Sequence, residues 1–245
     1  MTPVWKIFDL DGTLLDSNGI WVRVDEIFLT RRGKSMTSDY QEFVAHAIYP
    51  TAAKFTKEYY DLSESEESIM DEWTALAREA YQLHAPLKEG AKEYLVRCAA
   101  GGERLALFTA SLPELCRLAL HRHGLEDLFE RIVFAQELGL EKRNPRAFTA
   151  LTEALGARPW DCVLFDDSPR SCRAAKDTGL WVVGIYDSFF AAAQEEVRAN
   201  SHRYLHSFAE LLQGGGSPSG PAQDRGRAGY RRADEGIDPY RHTPS

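Results

Sequence analysis

The sequence of 245 residues lacks a long apolar run, and no stretch approaches the ~18 residues that a membrane-spanning helix requires. Only Met1 to Pro3 precede the first apolar run, which leaves no room for a signal peptide. We therefore expect a protein that has no membrane partner and carries no secretion signal.

Cysteine pairs and an excess of positive charge are also missing. The net charge of -8 disfavours a protein that binds the phosphate backbone of nucleic acids. We expect the cysteines to be small buried residues in a reducing cytoplasm, because none of them forms a CxxC pair. They are Cys98, Cys116, Cys162 and Cys172. These absences predict a cytoplasmic protein without a nucleic-acid partner, and they leave its oligomeric state open.

The composition is that of a globular protein, with 44% hydrophobic and 27% charged residues. Apolar segments from Pro86 onward alternate with helical patterns of about ten residues. Such alternation predicts an α/β fold, a Rossmann-like parallel sheet with helices on both faces. The predicted strands are Val4–Phe8, Arg104–Phe108, Ile132–Phe134, Cys162–Phe165 and Trp181–Ile185.

Two segments depart from this alternation. Between Asn18 and about Leu83 the apolar residues recur at helical spacing, and Ser65 before two glutamates is a typical helix start. We therefore predict an all-helical insertion over residues 17–85, between core segments 1–16 and 86–212. Residues 213–245 are rich in glycine, proline and charge, so we predict a disordered tail there.

Asp9 and Asp11 follow the first predicted strand, and Gly12 permits a sharp bend directly after them. Residues i and i+2 of an extended segment point the same way, so both carboxylates can face one pocket. A simple turn at the strand end explains the same residues. A calcium loop is a third interpretation, although the glycine of such a loop falls later.

Asp166 and Asp167 form a second acidic pair at the end of another buried strand. Ligands of parallel α/β sheets bind at the carboxyl ends of the strands, so we expect the two pairs to converge. Converging carboxylates repel one another unless a cation neutralises them, and Mg²⁺ prefers such oxygen ligands. The alternative is a solvated turn that caps the helix beginning at Pro169.

Thr109, Ala110 and Ser111 lie at a third strand end, directly before a helix. Hydroxyls and free backbone N–H groups at a helix start can bind an anion, although plain helix capping explains them as well. Lys142 lies in a polar loop and on its own indicates nothing.

Together these segments resemble the four motifs of the haloacid dehalogenase-like (HAD) hydrolase superfamily, whose members are mostly phosphatases. The resemblance extends over about residues 4–212 and follows the family's motif order and spacing. The motifs are Asp9-Leu10-Asp11-Gly12-Thr13-Leu14 with Asp16, Leu107-Phe108-Thr109-Ala110-Ser111, Lys142 with Pro145, and Phe165-Asp166-Asp167-Ser168 continuing to Ala174-Ala175 and Gly179. The helical insertion resembles the small cap of that superfamily.

The resemblance implies a Mg²⁺-dependent phosphatase that acts on a small phosphorylated metabolite through an aspartyl-phosphate. Asp9 would be the nucleophile and Asp11 the general acid and base. Thr109, Ala110, Ser111 and Lys142 would bind the phosphoryl group. The metal ligands would be Asp9, the backbone carbonyl of Asp11, Asp167, and Asp166 directly or through water.

Two positions depart from the pattern of the superfamily. Arg143 intervenes between Lys142 and the proline that usually follows it directly, so the loop can differ. Ser171 stands where many members carry a further acid, so a metal would depend on Asp166 and Asp167.

Two other functions fit the same resemblance. Phosphosugar mutases of the superfamily typically place a histidine just after the first motif, and residues 17–21 contain none, which favours a hydrolase. A non-catalytic binding protein with this fold is the other alternative. Substrate identity stays open: Trp21, Arg31, His46, Tyr49 and Trp73 could line the site, although we expect most of them to serve packing.

Overall fold

The computed structural model describes residues 5–45 and 47–213, and it contains one six-stranded sheet. The strands are β1 (Trp5–Phe8), β2 (Arg104–Thr109), β3 (Arg131–Phe134), β4 (Cys162–Asp166), β5 (Trp181–Ile185) and β6 (Arg203–Leu205). The helices are α1 (Asn18–Thr30), α2 (Ser38–Val44), α3 (Tyr49–Tyr60), α4 (Glu66–Leu83), α5 (Ala91–Ala100), α6 (Pro113–His123), α7 (Pro145–Ala154), α8 (Pro169–Thr178), α9 (Gln194–Ala199) and α10 (Ala209–Gln213).

The sheet is parallel throughout, with the strand order β3-β2-β1-β4-β5-β6. Strand β1 lies between β2 and β4, and Phe8 is aligned with Leu107 on one side and Phe165 on the other. Strands β2 and β3 are added on one side of β1, and strands β4 to β6 are added on its other side. Open parallel α/β sheets bind ligands where the order of the strands switches sides in this way. The predicted α/β fold class is confirmed.

Both faces of the sheet are covered, because successive side chains of β1 enter different cores. Ile7 packs among the apolar side chains on one face, together with Phe148 of α7. Phe8 packs on the other face, where its ring stacks on that of Phe165 at 4.5 Å between centroids. All four residues of β1 are buried, as expected for a strand that is covered on both faces. They include the charged Lys6, whose Nζ donates a hydrogen bond to the Tyr94 hydroxyl at 2.9 Å.

Strand β6 is an edge strand that the sequence analysis missed. Its three residues pair in parallel with β5, and Tyr204 lies opposite Gly184. A segment this short carries too few apolar positions to produce a recognisable pattern. Of the tail predicted over residues 213–245, Gln213 ends α10 and the remainder lies outside the described residues, as does Val4 of the first predicted strand.

Helices α1 to α4 occupy the stretch that the sequence analysis assigned to a helical insertion. No strand occurs among the described residues between 18 and 83. Helix α4 begins after Ser65, whose side chain accepts a hydrogen bond from the backbone N–H of Ser68, as the acidic first turn predicts. Phe28 of α1 and Trp73 of α4 pack edge to face in the core of this stretch. The division into separate core and cap domains stays a prediction.

None of the described helices is both long and apolar enough to cross a membrane.

Candidate active site

A pocket of about 200 Å³ lies between the carboxyl ends of the strands and helices α1 to α4. Every residue that the sequence analysis predicted to serve catalysis, phosphate binding or metal binding lines this pocket. They are Asp9, Asp11, Thr109, Ala110, Ser111, Lys142, Asp166 and Asp167. Parallel strands place these segments at one edge of the sheet, although they are up to 158 residues apart in the chain (167 minus 9).

Three buried carboxylates converge at the end of β1 and β4. Oxygen atoms of Asp9, Asp166 and Asp167 all lie within 4.8 Å of one another. The backbone N–H of Asp9 donates to the carbonyl of Phe165 at 2.9 Å, which extends the pairing of the two strands to this point. Burial raises the pKa of Asp9 to about 7, although Lys142 acts in the opposite direction. Burial, Asp9 and Asp166 likewise raise the pKa of Asp167 well above its ordinary value.

Lys142 joins this cluster in spite of the residue inserted after it. Its Nζ lies 2.7 Å from Oδ1 of Asp9 and 2.6 Å from Oδ2 of Asp166. Burial lowers the pKa of Lys142, but the two carboxylates raise it by more, so the ammonium group stays charged. The loop after Lys142 ends at Asn144, whose side chain caps α7 by accepting from the N–H of Arg146. Arg143 therefore does not displace the lysine from the site.

The second departure, Ser171, has a clear structural role. Its hydroxyl donates to Oδ2 of Asp166 at 2.6 Å, and the backbone N–H of Ser168 donates to Oδ1 at 3.0 Å. A serine at this position is therefore a donor to the acidic cluster, where an acid would add another negative charge. These two donors and Lys142 together hold the Asp166 carboxylate in place.

Asp167 is held by the loop that follows β1. The hydroxyl of Thr13 donates to its Oδ1 at 2.8 Å, and Nδ2 of Asn18 donates to its Oδ2 at 2.9 Å. Gly12 makes this approach possible, because its φ is +81° and a Cβ there would lie 2.2 Å from Oδ2 of Asp167. Glycine is needed at this position both for its backbone angle and for the space.

Asp187 is a buried acid near the cluster that the sequence analysis missed. It accepts a hydrogen bond from Nδ2 of Asn18 at 3.2 Å and forms an ion pair with Lys88. It raises the pKa of Asp167 through its charge. Its position could have indicated a site residue, because Asp187 comes two residues after the end of β5. That strand end carries a single acid, whereas the acids that the sequence analysis selected occur in pairs.

Asp11 connects the site to helices α1 and α4. Its Oδ1 accepts a hydrogen bond of 2.6 Å from the Ser17 hydroxyl and another from the Tyr81 hydroxyl. Nε1 of Trp21 in turn donates to the Tyr81 oxygen at 2.8 Å. Burial raises the pKa of Asp11, against the effect of the two donors. A protonated or readily protonated carboxyl is what a general acid requires.

Thr109 and Ser111 form the third side of the pocket. Both side chains are buried, and the backbone N–H of Ser111 donates to Oγ1 of Thr109 at 3.0 Å. The segment turns here into α6, which begins at Pro113. It therefore presents hydroxyl and backbone groups beside Lys142.

On the helical side of the pocket, we expected most of the five candidate residues to serve packing. The structure bears this out only in part. Trp21, Tyr49 and Trp73 line the pocket and also pack on one another. Arg31 is exposed and pairs with Glu72, so it lies away from the pocket. His46 lies outside the described residues.

The donor set of the acidic cluster fits a hard divalent cation. It supplies carboxylate oxygen only, which is the type of ligand that Mg²⁺ prefers. In the described part of the chain, Lys142 is the one cationic side chain that contacts these three carboxylates, so negative charge is left in excess. The Asp11 carboxylate lies outside this set of three.

Comparison with protein families gives one extended match. The family model described as haloacid dehalogenase-like hydrolase matches residues 6–185. This range covers most of the chain and includes all the site residues that the sequence predicted, whereas Asp187 lies just beyond it.

Curated relatives include phosphatases from several organisms. The chain is 29% identical over 211 residues to the probable pseudouridine-5'-phosphatase of Drosophila melanogaster, which covers 84% of this chain and 90% of the relative. It is 24% identical to hexitol phosphatase B of Escherichia coli strain K12, over 69% of this chain and 78% of the relative. It is also 24% identical to the phosphorylated carbohydrates phosphatase of Thermotoga maritima, over 71% of this chain and 81% of the relative.

Solved structures share the fold. The structure of CbbY from Rhodobacter sphaeroides with phosphate has a TM-score of 0.73 at 21% identity and covers 86% of this chain and 96% of that one. A putative beta-phosphoglucomutase from Thermotoga maritima has a TM-score of 0.64 at 22% identity, with coverages of 86% and 97%. At these identities the likeness concerns the fold alone.

Proposed function

The chain belongs to the haloacid dehalogenase-like hydrolases, and we propose that it is a Mg²⁺-dependent phosphatase that hydrolyses a small phosphorylated metabolite through an aspartyl-phosphate. One observation carries the proposal: Asp9, Asp11, Lys142 and the acidic pair 166–167 line a single pocket. The phosphatase names of relatives that match most of the chain support the same reaction class.

Asp9 is the proposed nucleophile. Its carboxylate attacks phosphorus, the bond from phosphorus to the leaving oxygen breaks, and the phosphoryl group is transferred to Asp9. Lys142, bonded to Oδ1 of Asp9, holds that carboxylate in one orientation and offsets negative charge on the phosphoryl oxygens. Thr109, Ala110 and Ser111, which line the same pocket, are the other groups proposed to bind these oxygens.

Asp11 is the proposed acid and base. Its raised pKa suits a group that gives a proton to the leaving oxygen. The resulting carboxylate then removes a proton from the water that attacks phosphorus. The bond from phosphorus to the Asp9 oxygen breaks, inorganic phosphate leaves, and Asp9 is again a carboxylate while Asp11 is again protonated. The hydrogen bonds from Ser17 and Tyr81 fix the position of its Oδ1 through this cycle.

The proposed ligands of Mg²⁺ are Asp9, the backbone carbonyl of Asp11 and Asp167, with Asp166 directly or through water. Bound there, the ion would shield Asp9 from the negative charge of the incoming phosphate. The acid-only donor set and the raised pKa values of Asp9 and Asp167 support this assignment.

Helices α1 to α4 are the proposed cap, over residues 17–85, which excludes bulk water and contacts the leaving group. The four cysteines are buried and free of disulfides, which supports the proposal that the protein works in a reducing compartment, the cytoplasm.

The test is hydrolysis of p-nitrophenyl phosphate and of a panel of phosphorylated metabolites, with Mg²⁺ and with excess chelator. We expect phosphate release that requires the metal and returns when Mg²⁺ is added back. Incubation with glucose 1-phosphate separates the alternatives. Formation of glucose 6-phosphate without free phosphate would identify a mutase. If no phosphate ester is turned over, the result favours a non-catalytic binding protein.

A further inference from the structure

Asp25 is an acid at the helical end of the pocket, remote from the cluster at the strand ends. It lies on α1 four residues after Trp21, so the two side chains share one face of that helix. Both line the pocket. None of the roles proposed above uses Asp25.

The carboxylate of Asp25, a half-buried residue, has few hydrogen-bond partners. Its Oδ1 accepts one hydrogen bond of 3.1 Å from the Tyr40 hydroxyl, which also lies 3.0 Å from the Thr56 hydroxyl. Among residues 5–45 and 47–213, its other oxygen accepts no hydrogen bond, and no lysine or arginine forms an ion pair with it. Burial raises the pKa of Asp25 to about 7. Such an acid disfavours the folded state unless something fills its acceptor capacity.

The surroundings of Asp25 are aromatic. Trp21, Tyr49 and Trp73 form what we call the aromatic wall, with ring centroids 5.8 Å apart for the first pair and 5.6 Å for the second. Asp25 is close enough to Tyr49 to raise the pKa of its phenol. A carboxylate beside aromatic rings combines an acceptor with flat apolar surface, so it suits a ligand that has both C–H faces and hydrogen-bond donors.

We propose that Asp25 is a specificity-determining residue that accepts hydrogen bonds from donor groups at the end of the leaving group remote from the phosphate. The aromatic wall covers the carbon skeleton of that leaving group. Hydroxyl groups of a polyol or sugar and an ammonium group share this donor chemistry. The inference rests on the proposed phosphatase function, because it assigns the phosphate to the opposite end of the same pocket.

The dimensions of the pocket agree with a leaving group of moderate length. Helix α1 begins at Asn18, which is bonded to Asp167, and Asp25 lies seven residues further along. At a rise of about 1.5 Å per residue, this separation is roughly 10 Å along the helix axis. With carbon–carbon bonds of about 1.5 Å, a skeleton of about five or six carbons with its phosphate spans that distance.

The test compares glucose 6-phosphate with cyclohexylmethyl phosphate, which has the same ring size and no hydroxyl groups. We expect the wild type to prefer glucose 6-phosphate, as the ratio of kcat/KM values. We expect Asp25→Asn and Asp25→Leu to lower this ratio by about 10-fold or more, because each removes the charged acceptor. Glu26→Gln is the matched control: Glu26 is the exposed next residue on α1, and its removal leaves the ratio unchanged.

Glucosamine 6-phosphate identifies which donor is bound. A wild-type preference for it over glucose 6-phosphate that Asp25→Asn abolishes identifies an ammonium ligand, and equal loss on both substrates identifies hydroxyl groups. The same ratio in the wild type and both Asp25 variants would overturn the inference. Release of p-nitrophenol from p-nitrophenyl phosphate by the wild type keeps the two proposals apart, since failure there contradicts the phosphatase itself.

Discussion

The two sides of the pocket are built in different ways. On the strand side, each acid is held by partners within the chain: Asp166 accepts from Lys142, Ser171 and the N–H of Ser168. On the helical side, Asp25 accepts from Tyr40 alone among the described residues, and apolar and aromatic side chains surround it. A fully held set of groups suits chemistry, which needs fixed geometry, whereas an acid with spare acceptor capacity suits selection of a ligand.

The largest loss of activity is expected from a substitution on the strand side of the pocket, at Asp9. Asp9→Asn removes the carboxylate that we propose attacks phosphorus, so turnover of p-nitrophenyl phosphate should fall by roughly 10⁴-fold or more. Circular dichroism and thermal unfolding check that the fold is intact. Asp39→Asn, at an exposed acid of α2, is the control that keeps wild-type turnover. Near wild-type turnover of Asp9→Asn would refute the assignment of the nucleophile.

The next prediction tests how tightly the strand side is packed. Gly12→Ala places a Cβ 2.1 Å from Nδ2 of Asn18 and 2.2 Å from Oδ2 of Asp167, at a φ of +81°. We expect a loss of about 3 kcal/mol or more in the free energy of unfolding, and activity should fall with it. Gly139→Ala is the matched control, since its φ is +64° and no atom lies within 4 Å of an added Cβ. Equal losses in urea unfolding of the two variants would show that space at Gly12 is unimportant.

A smaller effect is expected where the two sides meet. Tyr81→Phe removes a donor to Asp11 and leaves Nε1 of Trp21 without its acceptor. We expect kcat/KM to fall by about 10-fold. The Tyr81 hydroxyl lowers the pKa of Asp11, so its removal should move the alkaline limb of the pH–rate profile, where the proposed acid loses its proton, to higher pH. Tyr60→Phe, which removes a hydroxyl that donates to the carbonyl of Ser35, should leave that profile in place. An unshifted profile in Tyr81→Phe would reduce Tyr81 to a packing role.

The smallest effect concerns the stability cost of Asp25. Its pKa of about 7 in the folded state is raised from 3.8, so ionisation disfavours folding as pH rises from about 4 to about 7, and the cost is full above that. Tyr40 and Tyr49 face Asp25 and stay neutral, because burial raises the pKa of both phenols. We expect Asp25→Asn to gain about 1 kcal/mol more over the wild type at pH 8 than at pH 5 in urea unfolding. An equal difference at both pH values, as expected for Glu26→Gln, would contradict this.

The sequence alone determined the fold class and the strand side of the pocket. Apolar strands alternating with helices admit a parallel sheet, and residues at the carboxyl ends of parallel strands share one edge. Asp9, Asp11, Thr109, Asp166 and Asp167 were therefore placed by local position. Lys142 was placed by the resemblance to the HAD superfamily, since nothing local marks it.

Only the tertiary structure decided the helical side and the contacts between the sides. Asn18 meets Asp167 across 149 residues, and Tyr81 meets Asp11 across 70. In the sequence, nothing distinguishes Asp25 from the other acids of the helices; its enclosure results from the packing of α2 and α3 around it. The pattern of a helix tells which residues share a face, but the angle at which helices pack decides what that face meets.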